Sequence, residues 1–206
     1  MMIGVVDYGA GNQRSIRNAL DALEAKHKTV ASPDDLEDID KLIFPGVGAF
    51  GDSMANLNAR GLVAPIRDWI SADRPFFGIC IGFQLLFEGS EESPGAAGIG
   101  AFEGQVIRFP EKHSEKVPHM GWNGLSLTDP QNPAWDGLDE EPHMYFVHSY
   151  FPSPADQSLI ASTTNYGIDF ASSIQVGNVT ATQFHPEKSQ TAGLRLINNF
   201  IRQHRL

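Results

Sequence analysis

The chain has 206 residues, 41% of them hydrophobic, and a formal net charge of −10 at pH 7. This length and composition suffice for a single domain over residues 1–206 with a sizeable core, and the charge argues against nucleic acid or an anionic membrane as the main partner. No apolar run is long enough to predict a membrane-spanning helix.

The first part of the chain alternates strand and helix patterns. Ile3–Val6 is a continuous apolar run, typical of a buried parallel strand, and apolar residues over 16–23 recur at helical spacing. Further elements are predicted as strands over 27–31 and 42–44 and a helix over 61–73. Residues 9–11 look like the start of a dinucleotide loop, but Arg14 stands where the third glycine belongs, so no nucleotide cofactor is predicted.

The only cysteine, Cys80, follows a short apolar run that predicts a strand, and residues 84–87 predict the opening of a helix. Gly78 and Gly82 flank it, as a strained strand-to-helix elbow requires. Such an elbow places the thiol at a helix N-terminus, where unpaired N–H groups favour the thiolate. A lone cysteine in an apolar run is more often a small buried hydrophobe, so a nucleophile is predicted only if the chain also supplies a base.

From Gly104 onward the pattern changes to strands separated by turns rich in proline and glycine. The predicted strands cover 105–109, 124–127, 144–148, 159–163, 170–175 and 178–184, and a helix over 191–203 closes the chain. Alternating elements followed by a run of strands predict an α/β fold with an added antiparallel section.

His185 and Glu187 supply the base and its orienting acid. They lie between the strand predicted over 178–184 and the last helix. A thiol nucleophile needs an imidazole to take its proton and return it, and the imidazole needs a carboxylate to fix its tautomer. Together with the cysteine elbow, the pair predicts a catalytic triad of Cys80, His185 and Glu187.

Residues 78–84 and 185–187 together resemble the class I (triad) glutamine amidotransferases, and the resemblance covers essentially the whole chain. The stretches 7–12, 45–50, 118–123 and 145–150 are similar to the branch of glutaminase subunits of imidazole glycerol phosphate synthase, in the histidine pathway. Two alternatives stay open. Glutaminase subunits for anthranilate, purines or pyridoxal phosphate share the nucleophile and His-x-Glu motifs, and a catalytically silent relative would serve as a regulatory module.

The resemblance implies a flavodoxin-like, mixed and mostly parallel sheet flanked by helices. It also implies hydrolysis of glutamine to glutamate and ammonia, with the ammonia passed to a (β/α)₈-barrel synthase subunit in a heterodimer. That subunit makes imidazole glycerol phosphate and AICAR from the phosphoribulosyl formimino-AICAR ribonucleotide.

Further residues receive roles from the same resemblance. Val47 and Gly48 form an oxyanion loop, and the N–H of Ile81 is the second donor. Gln84 and Glu92 hold the substrate, with Glu91 as the alternative acid. The loop that docks on the synthase subunit contains Pro118, Met120, Trp122 and Asn123. Without the resemblance, a cap on the core would be the favoured interpretation of this aromatic loop, because exposed aromatic anchors are rarer.

No metal site is predicted. Five of the seven histidines lie between His113 and His185, but none has the close ligand pairing of a zinc motif. The chain start lacks the features of a signal peptide, and one cysteine cannot form an internal disulfide. Both observations favour the cytoplasm.

Overall fold

The computed structural model describes residues 1–9, 13–110, 112 and 115–203, so residues 10–12 of the first motif and His113 lie outside the described residues. The strands are β1 (Ile3–Val6), β2 (His27–Val30), β3 (Lys41–Phe44), β4 (Phe76–Ile79), β5 (Gly89–Ser90), β6 (Gly104–Arg108), β7 (His119–Gly124), β8 (Ser126–Leu127), β9 (His143–His148), β10 (Tyr150–Pro154), β11 (Ile160–Asn165), β12 (Asp169–Val176) and β13 (Val179–Thr182). The helices are α1 (Gln13–Ala22), α2 (Phe50–Ala59), α3 (Val63–Ser71), α4 (Ile81–Gln84) and α5 (Gln190–Gln203). No helix in this part of the chain is long and apolar enough to cross a membrane.

The central sheet has eight strands in the order β2-β1-β3-β4-β13-β12-β11-β8. The first five run parallel, with Gly78 of β4 opposite Ala181 of β13. The last three strands continue the sheet by antiparallel pairing. The predicted α/β fold, mostly parallel with an antiparallel section, is confirmed.

Helices cover both faces of the parallel strands. Successive residues of a strand point to opposite faces, so Phe76 packs in the cluster that includes residues of α2 and α3, while Phe77 packs with residues of α1 and α5. Because both faces are covered, these strands are apolar throughout rather than alternating. This packing fixes the carboxyl ends of β4 and β13, where the candidate site lies.

Two smaller sheets belong to the second half of the chain. One has the order β10-β6-β5, and the other is an antiparallel ribbon of β7 and β9, in which Trp122 lies opposite Tyr145. Met144 and Phe146 of the ribbon are buried, whereas Met120 and Trp122 are exposed. The ribbon therefore has one face on the core and one face directed outward.

The helix predicted to open at residues 84–87 is placed wrongly, because α4 ends at Gln84. The carbonyl oxygens of Leu85 and Leu86 accept hydrogen bonds from the N–H groups of Ile99 and Ala101, at 2.8 Å each. These carbonyls are therefore not available to continue the helix, and the chain turns into β5 instead.

Other predictions of local structure also need correction. Residues 118–123, predicted as a loop, are mostly strand β7, and the strand predicted over 124–127 is the end of β7 plus the short β8. Helix α2 and strand β10 were not predicted. Helix α2 contains Gly51 and two asparagines, which are poor helix formers, and β10 contains two prolines, which it tolerates because it is an edge strand.

Candidate active site

Cys80 stands at a strained turn between β4 and α4, with φ +53° and ψ −107°. Its N–H donates to the carbonyl of Thr182 at 2.8 Å, which ties the turn to β13. A Cβ on Gly82 would lie 1.9 Å from the carbonyl oxygen of Phe44, so only glycine allows this close approach. A non-glycine residue at such angles costs about 1–3 kcal/mol, and this strain is typical of functional sites.

His185 and Glu187 lie in the turn after β13, and their side chains are 1% and 4% exposed. Nδ1 of His185 is 2.8 Å from Oε1 of Glu187. The N–H of His185 donates to the carbonyl of Tyr145 at 2.9 Å, and Ser189 Oγ donates to the carbonyl of His185 at 2.6 Å. His185 is therefore held in place through both its ring and its backbone.

The charge state of His185 is set by its neighbours. Burial alone would lower its pKa, but interaction with Cys80 and with Glu187 raises the pKa well above the ordinary value of 6.5. Within the described part of the chain, Nε2 of His185 has no hydrogen-bond partner. An imidazole that interacts with the only thiol of the chain can serve as the base of a cysteine nucleophile.

Two buried glutamines connect the thiol to the first residue of strand β10. Gln183 Nε2 is 3.6 Å from Cys80 Sγ, and Gln84 Nε2 donates to Gln183 Oε1 at 3.0 Å and to the carbonyl of Tyr150 at 2.9 Å. Sequence analysis gave Gln183 no role, although a polar side chain two residues before His185, in a predicted buried strand, was a usable signal. Since both amide hydrogens of Gln84 are used, its Oε1 is the atom left to accept from a ligand.

A cleft of about 460 Å³ opens above Cys80, within the size range of small-molecule sites. It brings together seven of the residues selected from the sequence: Val47, Gly48, Cys80, Ile81, Gln84, Glu92 and Pro118. Ser149, Tyr150 and Lys188 also line it, and sequence analysis gave none of them a site role. In the described residues there is no group of three or more His, Cys, Asp or Glu side chains that would hold a metal ion.

Residues with unpaired backbone N–H groups line the same cleft as Cys80. Ile81 is the first residue of α4, and its N–H has no partner in the described structure, nor have those of Val47 and Gly48. Gly48 has φ +122°, a conformation that side chains disfavour. Donors at a helix N-terminus and in a glycine loop suit a negatively charged oxygen.

Glu92, rather than Glu91, lines the cleft. Oε2 of Glu92 accepts from the N–H of Phe50 at 2.7 Å, at the start of α2. Glu91 instead accepts from the N–H of Arg108 at 2.8 Å, in an exposed position. Glu92 is therefore fixed by one oxygen, and its other oxygen remains for a ligand.

The four residues predicted to contact a partner lie in or next to β7. Met120 and Trp122, two positions apart on one face, are 62% and 46% exposed, while Pro118 borders the cleft. Asn123 differs, because its amide is used inside the molecule, donating to the carbonyl of Asn165 at 2.9 Å and lying 3.3 Å from Nε2 of His119. The exposed pair forms an apolar outward surface beside the cleft.

Comparison with known proteins is informative over nearly the whole chain. The family described as glutamine amidotransferase class-I matches residues 4–204. Imidazole glycerol phosphate synthase subunit HisH of Methylococcus capsulatus is 47% identical over 208 residues, covering 97% of this chain and 95% of that protein. The chloroplastic imidazole glycerol phosphate synthase hisHF of Arabidopsis thaliana is 47% identical over 202 residues, covering 97% of this chain and 34% of that protein.

A solved structure of a glutamine amidotransferase superposes with a TM-score of 0.75 at 22% identity, covering 97% of this chain and 96% of that one. At this identity the likeness shows the fold.

Proposed function

Since the chain belongs to the class I glutamine amidotransferase family and, within it, to the HisH glutaminase subunits of imidazole glycerol phosphate synthase in histidine biosynthesis, we propose that its cleft hydrolyses glutamine with Cys80 as the nucleophile. One observation carries the proposal: the only thiol of the chain lies at a strained elbow in a cleft, beside the ring of a buried His185–Glu187 pair. Glu187 orients the ring, and His185 moves the proton.

The reaction proceeds through a thioester. Sγ of Cys80 attacks the carboxamide carbon, and the resulting oxyanion accepts hydrogen bonds from Ile81 N–H and from the Val47–Gly48 loop. His185 gives its proton to the leaving nitrogen, which departs as ammonia. The neutral imidazole then takes a proton from water as the water attacks the thioester, and release of glutamate restores the thiolate beside a protonated His185.

Glu92 and Gln84 hold the substrate. The α-ammonium of glutamine is a donor only, so it fits the free oxygen of the Glu92 carboxylate and the Oε1 of Gln84. Both residues line the cleft that contains Cys80.

Glu92→Gln is expected to raise KM for glutamine by roughly 10–100-fold, because a hydrogen bond to a charged group contributes about 1.5–3 kcal/mol. The substitution keeps an oxygen for the N–H of Phe50 and removes only the charge. Steady-state kinetics measure the effect, with Glu91→Gln as the matched control. A lower kcat with unchanged KM would assign Glu92 another role.

We place the partner on the outward surface of β7. The surface is formed by Met120 and Trp122, which are the exposed aromatic or thioether anchors that interfaces favour. The Arabidopsis relative named hisHF is about three times as long as the segment this chain matches, which fits a second synthase unit joined to it. We infer that the partner of this chain is a separate (β/α)₈-barrel synthase subunit.

Ammonia gives a physical reason for such a complex. In water at neutral pH ammonia becomes ammonium, which has no free electron pair for attack. An interface that excludes water keeps it neutral on its way to the synthase site. Pro118 borders both the cleft and the start of β7, so docking there would close the cleft from bulk solvent.

Trp122→Ala is expected to weaken binding to the synthase subunit by roughly 10–100-fold, since buried tryptophans are frequent hot spots of about 2 kcal/mol or more. The side chain is already exposed in the free chain, so unfolding should not change. Calorimetric titration measures the affinity. Val176→Ala, another exposed apolar residue, is the control and should bind as the parent does.

The decisive experiment is glutamate release with and without the synthase subunit and its ribonucleotide. We expect the chain alone to be roughly 100-fold or more slower, because one misaligned oxyanion donor costs about 10²–10³ in rate. Docking would favour the aligned loop. Full activity of the isolated chain would contradict both the coupling and the partner, and no glutamate in any mixture would contradict the glutaminase itself.

We also propose a cytoplasmic location. The only cysteine is free, and a catalytic thiol is kept reduced in that compartment. Fractionation of cells that produce a tagged chain tests this, and recovery from an oxidising compartment would contradict it.

A further inference from the structure

Two buried histidines, His119 and His148, lie beneath the outward surface of β7. They are opposite partners in the β7–β9 ribbon, are 2% and 6% exposed, and Nδ1 of His119 lies 3.0 Å from Nε2 of His148. The ring of His119 stacks between Phe146 and Tyr166, with centroids 4.7 and 3.9 Å away. Nothing in the glutaminase chemistry above uses this pair.

The hydrogen bonds define where the protons are. Nδ1 of His148 is 2.9 Å from the carbonyl oxygen of Tyr150, which can only accept, so this nitrogen carries the hydrogen. Burial lowers the pKa of His148 to about 3, so the ring is neutral and its Nε2 accepts. Nδ1 of His119 therefore donates to it, and Nε2 of His119 is left to accept from the amide of Asn123 at 3.3 Å.

The same line of hydrogen bonds continues into the cleft. The carbonyl of Tyr150 accepts from Gln84 as well as from His148, at 2.9 Å each. Gln84 also donates to Gln183, whose amide reaches Cys80. An unbroken series of contacts thus joins the strand that carries the outward surface to the glutamine-binding amide and the thiol.

We propose that His119 and His148 are positioning residues for glutamine. They form a neutral pair of fixed tautomer that links strand β7 to the Tyr150 carbonyl and fixes the position of that carbonyl, and thereby the position of Gln84. The proposal rests on the glutaminase function proposed above. Two apolar residues would fill the same space but would leave the Tyr150 carbonyl with one donor fewer. In a low-dielectric interior a fully paired network specifies one arrangement of its members. A partner that binds β7 then favours one geometry of the cleft, and glutamine in the cleft favours partner binding equally.

The tautomers are measured directly by ¹⁵N NMR of the ring nitrogens in the complete chain. We expect both rings to carry hydrogen on Nδ1 and none on Nε2, and the His148 ring to stay in that form through neutral pH. A His148 ring protonated on Nε2, or one that becomes imidazolium near its ordinary pKa, would overturn the assignment.

Kinetics of the synthase complex test the positioning role. His119→Phe keeps a ring between Phe146 and Tyr166 but removes the donor and the acceptor. We expect KM for glutamine to rise about tenfold, because the change weakens binding by about the contribution of one hydrogen bond. The value of kcat should change little. His119→Asn retains an N–H near Nδ1 and should recover most of the affinity.

Tyr166→Phe is the matched control, because it keeps the stacking ring and removes only the hydroxyl that donates to the carbonyl of Lys116 at 2.8 Å. Its KM should equal that of the parent. An unchanged KM in His119→Phe would overturn the inference while leaving the glutaminase intact, and a parent complex that releases no glutamate would contradict the proposed function instead. If His119→Phe does not fold, the His119→Asn kinetics and the parent's tautomers still decide the question.

Discussion

Replacing Cys80 with alanine is expected to abolish glutamate production, by roughly 10⁴-fold or more, in line with the loss of a nucleophile in other hydrolases. The sequence offers no second thiol to take over. Alanine is no larger than cysteine, and both have a Cβ at the strained φ of +53°, so the folded state should persist. Glutamate release in the synthase complex, with thermal unfolding of the variant, measures both statements.

A glutamine analogue that carries a diazoketone should add its mass to the parent chain at Cys80. The alanine variant should take up none, and Cys80→Ser should also be nearly inactive, because a hydroxyl ionises far less readily than a thiol. Modification of any other residue, or glutamate formation by the alanine variant, would remove Cys80 from the mechanism.

The second large effect is expected at the base. His185→Asn should lower kcat about as much as loss of the thiol does. The decrease in Glu187→Gln should be smaller, by a factor of roughly 10–100, as in triads where the orienting acid alone is changed. Glutamine at 187 keeps an acceptor for Nδ1 but removes the negative charge.

The pH profile separates orientation from charge in the Glu187→Gln variant. Glu187 helps to raise the pKa of His185, so its neutral replacement lets the imidazolium lose its proton at a lower pH. The alkaline limb of the activity profile should therefore move to lower pH. A variant with parental kcat and an unshifted limb would reduce Glu187 to a buried loop carboxylate.

Local patterns predicted the parts of the site that depend on local geometry. The elbow at Cys80 needs glycines on both sides, and these are visible in the sequence. His185 and Glu187 are two residues apart, so their contact needs no knowledge of the fold. The parallel strands β1, β3 and β4 were equally clear, because strands covered on both faces are apolar throughout.

Long-range pairing is what local patterns do not contain. The contact of His119 with His148 depends on the register of β7 and β9, which neither strand specifies alone. The early end of α4 depends on N–H groups from residues 99 and 101, beyond the next strand. A polar side chain in a predicted buried strand marked Gln183, but its partner Gln84 is 99 positions away, so the contact itself could not be predicted.

The isolation of Cys80 also determines how this chain responds to oxidants. A sulfenic acid formed on Sγ would find no second cysteine in the sequence to resolve it as an internal disulfide. Reduction of the sulfenic acid would depend on a thiol small enough to enter a cleft in which the cysteine is only 8% exposed. Without one, a second oxidation to the sulfinic acid is irreversible. The same enclosure that we propose for ammonia would thus also restrict the access of repairing thiols to this atom.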